Sequence, residues 1–305
     1  MKKSFKVFVV VLLVMVFVVG GLVACTPADK GGEGNGTGEG EITTPKRIIS
    51  FFPSNTEILV ALGLLDNLVA VTIYDDYPAD IGEKVEYVFT DGINPNVEQA
   101  LSLEPDLVVF GAHSDELINS FKKLDIPTVQ YDPQSIAEVY ETIIALGEVT
   151  GLSTEAEKLV ADMKAEQAEL ADIVAGIADT DKRKVWLEIS NDLWTAGQGT
   201  FMNELITLAG GINIVEASGW VQYSEEKVLE QDPDIIFTTY GSYDPEAIRN
   251  VVKREGWSNV TAVKQSNVYD LDNNLVSRQG ARIIDALRLF AEKLYPELFD
   301  ADKAA

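Results

Sequence analysis

Two spacings of apolar residues alternate along this chain. Arg47–Phe52, Leu68–Thr72, Leu107–Phe110, Pro127–Tyr131, Lys184–Ile189, Ile235–Phe237 and Asn267–Leu271 are short and mostly apolar, the signature of strands covered on both faces. Between them, apolar residues recur at three- and four-residue steps, which predicts amphipathic helices. The longest such stretch is Ser153 to Ala178. It has no Pro, and no Gly before Gly176. Leu159, Met163, Leu170, Ile173, Val174 and Ile177 form its apolar stripe, and Ser153 is placed to cap its start. At 1.5 Å per residue such a rod is about 35–40 Å long. Strands and helices alternate on either side of it, so the pattern predicts an α/β chain of two lobes with a cleft between them.

The second lobe repeats part of the first. When Asn96–Phe110 is laid over Ser224–Thr238, Glu98 meets Glu226, Leu101 meets Leu229, Pro105 meets Pro233 and Asp106 meets Asp234. A helix–Pro–Asp–strand unit on both sides of one rod marks two related lobes, each built on a mostly parallel sheet. The expected boundaries are 45–151 for the first lobe, 152–180 for the bridging helix and 181–305 for the second. In the first lobe Ser54 and Glu57 fit a capping box at a strand-to-helix switch, where ligands of parallel-sheet folds bind.

Charge narrows the choice of partner. The 305 residues carry a formal net charge of −25, which disfavours nucleic acid and any anionic ligand lacking local positive charge. A single Cys rules out an intramolecular disulfide, and a single His removes multi-His zinc or manganese sites. That one Cys ends a leader. Lys2, Lys3 and Lys6 precede an apolar run from Val7 to Val19, followed by Leu22-Val23-Ala24-Cys25. A basic, apolar and then small-residue layout predicts an export signal over 1–24, with a Gly-rich tether over 25–44.

Candidate chemistry is sparse. Tyr74-Asp75-Asp76-Tyr77-Pro78 sets two aromatic rings in a polar loop, suited to stacking on a flat ligand or to covering the sheet edge. His113 follows a strand and is either solvated or a ligand to a metal carried by the bound molecule. Neither a Gly-x-Ser-x-Gly elbow nor a His-Glu-x-x-His pair occurs, so a secreted hydrolase would have to work with carboxylates alone.

Pro-Ser-Asn-Thr-Glu, Tyr-Asp-Asp-Tyr-Pro, Asn-Pro-Asn-Val-Glu, Glu-Pro-Asp-Leu-Val, Trp-Thr-Ala-Gly, Ala-Gly-Gly-Ile-Asn and Arg-Gln-Gly-Ala-Arg follow one another in this order. From about Pro45 to Pro296 the chain resembles the class III periplasmic substrate-binding proteins of ABC importers, and most of all their cobalamin-binding branch. The resemblance implies two lobes bridged by one long helix, little hinge motion and no enzymatic activity. It implies no cofactor of the protein's own, and as ligand a metal chelate, a corrinoid first, with a ferric siderophore or haem as alternatives. Tyr74, Trp194 and Trp220 match cleft aromatics, Asn274 a polar contact, and Arg278 a basic rim residue or a surface salt bridge. For both tryptophans core packing is the competing reading. Glu98 and Glu226 match carboxylates that dock on the permease dimer. Leu-Val-Ala-Cys resembles a lipobox, which makes Cys25 the site of lipid attachment and the protein a monomeric, membrane-anchored, extracytoplasmic lipoprotein. At Asp91-Gly92 and Gly111-Ala112 aromatics found in some relatives are missing, which leaves room for a siderophore or haem.

Overall fold

The computed structural model describes residues 43–299, so the expected export signal, most of the tether and Cys25 lie outside the described residues. In the first lobe the chain runs β1 (Ile48–Ser50), α1 (Pro53–Ala61), β2 (Leu68–Thr72), α2 (Ile81–Lys84), β3 (Tyr87–Phe89), α3 (Val97–Leu101), β4 (Leu107–Phe110), α4 (Asp115–Lys122), β5 (Thr128–Gln130) and α5 (Ile136–Thr150). Next come α6 (Ser153–Val174), β6 (Lys184–Glu188), β7 (Trp194–Ala196), α7 (Phe201–Leu208), β8 (Ile212–Asn213), β9 (Trp220–Gln222), α8 (Glu225–Gln231) and β10 (Ile235–Thr238). The chain ends with α9 (Ala247–Val252), α10 (Thr261–Lys264), β11 (Val268–Asp270), α11 (Asn273–Val276), α12 (Ile283–Leu294) and α13 (Pro296–Phe299).

Each lobe holds one parallel sheet. The first is ordered β3-β2-β1-β4-β5 and the second β8-β6-β10-β11, with β7 and β9 forming a separate antiparallel ribbon. Strand order reverses beside β1 in one sheet and beside β6 in the other. A crevice therefore opens at the carboxyl ends of both. Fully buried Ile48, Ile49, Val108, Val109, Val185, Leu187, Ile235 and Ile236 account for the continuous apolar runs: helices cover both faces.

The repeat has a physical purpose. The Asp106 carboxylate accepts the backbone N–H groups of Lys46 and Arg47 at 2.7 and 2.8 Å, and Asp234 accepts that of Lys184 at 2.8 Å. In each lobe the Asp after the Pro clamps the entry of the neighbouring central strand, β1 or β6.

Two expected caps are not made. Pro53 opens α1 itself, its fixed φ being suited to the first helical position, so Phe52 becomes the N-cap and no side chain caps the end. Glu57 does not reach back; it is buried and bonded to two arginines. Ser153 likewise lies inside α6, with Leu152 at the N-cap. The buried stripe of α6 is Ala156, Val160, Met163 and Leu170, shifted from the expected one at Val160, with Leu159, Ile173 and Val174 only partly covered. Gln167 fills the remaining step by accepting the Tyr140 hydroxyl at 2.9 Å.

α6 packs on α5 and on α12. The approach to α5 is close: a Cβ on Gly147 would lie 2.3 Å from that of Ala156. The lobes also meet through the loop before α12. There, a Cβ on Gly280 would come within 2.9 Å of the Ser54 carbonyl oxygen.

Candidate functional site

A cavity of about 500 Å³ opens between the two sheets and is built from strand ends. Phe52, Ala112, Asp132 and Gln134 enter it just after β1, β4 and β5. Ile189 enters it after β6, Thr239 after β10, and Asn273, Ser277 and Gln279 after β11, while Phe201, Met202 and Trp220 complete the wall. A larger cavity of about 640 Å³ follows α5 and α6, lined by Tyr140, Ile144, Val160 and Lys164 among others, and no strand end reaches it. The interlobe cavity is the one that the topology makes a binding cleft.

Trp220 is 43% exposed and Trp194 40% exposed, so neither is a core residue. Trp220 packs on Phe201 with ring centroids 5.7 Å apart. In the ribbon Trp220 faces Ala196 and Trp194 faces Gln222, which puts both indoles diagonally on one face. Trp220 lines the cavity; Trp194 lies on the ribbon beside it.

Tyr74, Asn274 and Arg278 come together next to the cavity, in a clasp between the lobes. Arg278 is 9% exposed; its Nη1 donates to Glu57 Oε1 at 2.9 Å and to Asp76, and its Nη2 donates to the Tyr74 carbonyl. Asn274 Nδ2 donates to the other Asp76 oxygen. Arg282 adds bonds to Glu57 at 2.7 and 3.1 Å and stacks on Tyr77, 4.1 Å from the ring centre. Burial opposes the Arg282 charge, yet the hydrogen bond and field of Glu57 outweigh it and hold the pKa above its ordinary value. The Arg278 guanidinium is thus engaged by protein on both terminal nitrogens, while Tyr74 is 55% exposed.

His113 is engaged at both ring nitrogens. Nδ1 accepts the Gly111 N–H at 3.1 Å, so Nε2 carries the proton and donates to the Gly92 carbonyl at 2.7 Å. No lone pair is left for a metal. Glu98 and Glu226 are exposed in the first turns of α3 and α8, whose caps are Asn96 and Ser224. Ser224 also bonds Glu226 at 2.6 Å, which lowers the Glu226 pKa.

The second lobe sets its floor on a buried charge. Glu188, at the end of β6, takes two bonds from Arg254 at 2.6 and 2.7 Å, one from the Tyr240 hydroxyl at 2.5 Å and one from Trp186 Nε1 at 3.0 Å. Burial and the adjacent carboxylate push the Tyr240 hydroxyl pKa well up. Arg254 also donates to the Asn191 carbonyl at 3.2 Å, which ties down the loop leading into Trp194.

Comparison with known proteins then decides the family. The model described as periplasmic binding protein matches residues 48–275, three quarters of the chain. The chain belongs to that family. This binding protein is 39% identical over 265 residues to the uncharacterized ABC transporter substrate-binding lipoprotein YvrC of Bacillus subtilis, covering 84% of this chain and 82% of the relative. It is 29% identical to a vitamin B12-binding protein of Photorhabdus laumondii, covering 84% and 89%. A solved structure of a possible iron-binding, periplasmic solute-binding protein from Staphylococcus epidermidis superposes with a TM-score of 0.73 at 31% identity, covering 83% and 100%. The binding protein is a solute-binding transport component and not an enzyme, so the hydrolase reading is set aside.

Among the described residues no group of acidic, His or Cys side chains is arranged to hold a metal, and no helix is long and apolar enough to cross a membrane. Sequence reasoning passed over Phe52, Asp132, Gln134, Phe201, Met202 and Gln279. Their shared signal is position: each follows a strand of a parallel sheet or borders the ribbon.

Proposed function

We propose that this binding protein is an extracytoplasmic receptor, lipid-anchored through Cys25, that delivers a cobalamin-like corrinoid to an ABC importer. The observation that carries the ligand class is the cleft's chemistry. Its lining combines Phe52, Phe201, Met202 and Trp220 with the amides of Gln134, Asn273 and Gln279, and among the described residues no Lys or Arg belongs to it. The nearby guanidiniums of Arg278 and Arg282 are taken up by Glu57 and Asp76. A corrin is a broad macrocycle fringed with amides, matched by aromatic faces and neutral hydrogen-bonding groups. Haem carries two carboxylates and a ferric tricatecholate a net negative charge, and for both a cleft without free cations is a poor host. Haem would also use an axial ligand, and with both His113 nitrogens occupied that role would fall to Tyr74, which is exposed beside the cleft. The name of the Photorhabdus relative agrees with a corrinoid; the iron-binding description of the Staphylococcus structure favours the alternative of a ferric siderophore.

Glu98 and Glu226 are the proposed contacts with the permease. They occupy corresponding positions of the two lobes, both exposed, as a two-fold partner requires of a pseudo-symmetric ligand. The proposed lobe limits are 45–151 and 181–305, with 152–180 bridging them, and the receptor acts as a monomer.

Calorimetric titration of the purified protein with cyanocobalamin, hemin and a ferric tricatecholate tests the ligand. Saturable one-to-one binding of cyanocobalamin at micromolar concentration or tighter, weakened by Trp220→Ala, is expected. Binding of hemin or the tricatecholate in its place would overturn the corrinoid reading.

A further inference from the structure

Among the described residues Asp132 is the one charged side chain in the cleft lining. Its backbone is held by its neighbours. Tyr131 N–H donates to the Phe110 carbonyl at 3.0 Å, continuing the β4–β5 pairing by one residue, and the Tyr131 carbonyl accepts from Asn55 Nδ2 at 2.9 Å. Pro133 is buried, and Gln134 N–H donates to Glu138 Oε2 at 2.7 Å. The Asp132 carbonyl accepts from Gln134 Nε2 at 3.2 Å, while among the described residues no donor reaches the carboxylate. These contacts hold the Asp132 backbone at the mouth of the cleft, and the residue itself is exposed there. Partial burial, with Glu138 adding to it, raises the Asp132 pKa, as expected for a charge that lacks a cation.

We infer that Asp132 is a specificity-determining residue: its carboxylate disfavours ligands that bring ionised carboxylates or catecholates to this wall, and it accepts N–H donors from an amide-fringed or cationic ligand. This rests on the proposed reading of the cleft and adds a residue to it. Among the described residues no Lys or Arg lines the cleft to offset it, so this carboxylate adds negative potential where a ligand meets the wall. A like charge placed against it is disfavoured, the more so once a bound ligand covers the carboxylate from water.

Wild type, Asp132→Asn and Asp132→Lys are titrated in parallel with cyanocobalamin, hemin and a ferric tricatecholate, following tryptophan fluorescence. Asp132→Asn is expected to tighten binding of the two anionic chelates about tenfold and Asp132→Lys about a hundredfold, in line with removal and then reversal of one nearby charge. Affinity for cyanocobalamin is expected to fall, by about threefold in Asp132→Asn, as acceptor strength is lost. Anionic chelates whose affinity is the same in all three proteins would overturn the inference, even with cobalamin bound. Wild type that ignores cyanocobalamin, with variants that still gain affinity for the anions, would sink the corrinoid reading and leave the role of Asp132 standing. Circular dichroism of each variant separates an altered cleft from a failed fold.

Discussion

The ends of β1 and β6 are equivalent positions held by opposite chemistry. Ser50 pairs with Val109 and Leu187 with Phe237, so in the repeat Phe51 corresponds to Glu188. Phe51 packs edge-on against Phe89 at 5.0 Å and beside Phe110 at 5.4 Å, in an apolar cluster that includes Phe121. Glu188, equally buried, is held by Arg254, Tyr240 and Trp186. Both solutions fill the space beneath the cleft. They fail differently: loss of one ring leaves a void, whereas loss of one charge leaves its partner stranded. The polar version also reaches the Trp194 loop through the Asn191 carbonyl, which gives the second lobe a link from core to ribbon.

The largest expected effect lies where the lobes meet. Glu57→Ala strands Arg282, leaves Arg278 to Asp76 and the Tyr74 carbonyl alone, and is expected to cost about 3–5 kcal/mol in urea denaturation. Arg254→Met, which leaves the Glu188 charge without its cation, is expected to cost about 3 kcal/mol, and adding Glu188→Leu should recover only part of that, because it removes the buried charge but leaves the Tyr240 hydroxyl and Trp186 Nε1 without an acceptor. A triple variant that adds Tyr240→Phe should recover more than the double one; if it does not, the Tyr240 bond carries no share of the loss. Phe51→Leu, the matching perturbation in the first lobe, should cost less than about 1.5 kcal/mol with no partner dependence. Smaller still, Asp106→Asn should cost about 1 kcal/mol and Asp234→Asn about half of that, since Asp106 accepts two strand-entry N–H groups and Asp234 one.

A pH series separates the lobes in another way. Burial raises the Asp75 pKa, the bonds that one of its oxygens accepts from the Thr72 N–H and hydroxyl only partly counter it, and among the described residues its other oxygen has no partner. A carboxyl whose folded pKa is raised favours the folded state while protonated and loses that contribution as pH rises through the folded value. Wild type should therefore gain stability relative to Asp75→Asn as pH falls from 7 toward 4. A constant difference between the two in pH-dependent denaturation would contradict this.

Much of the fold was legible in the sequence because strands covered on both faces and long amphipathic helices leave periodic marks. The apolar runs at β1, β2, β4, β6 and β10 and the rod at α6 all appear near their expected limits, and the family likeness rested on motifs that the comparisons bear out. Glu57 was misread for a physical reason: Glu three residues after Ser is the pattern of a capping box, and nothing local reports arginines more than 220 positions away. The cleft polar residues were missed for a related one. Asp132, Gln134 and Gln279 are single polar residues in loops, without period or partner in the sequence, and only the topology assembles them.

The clasp around Glu57 has a consequence for how such a receptor is read by another protein. A swing wide enough to part Glu57 from both arginines would break the ion pairs that join the lobes, so the clasp favours one arrangement of the two. Full and empty receptors then share nearly the same outline. Whatever tells them apart at a docking surface is the exposed face of the cargo itself, so cargo identity and the loaded signal are one and the same piece of information.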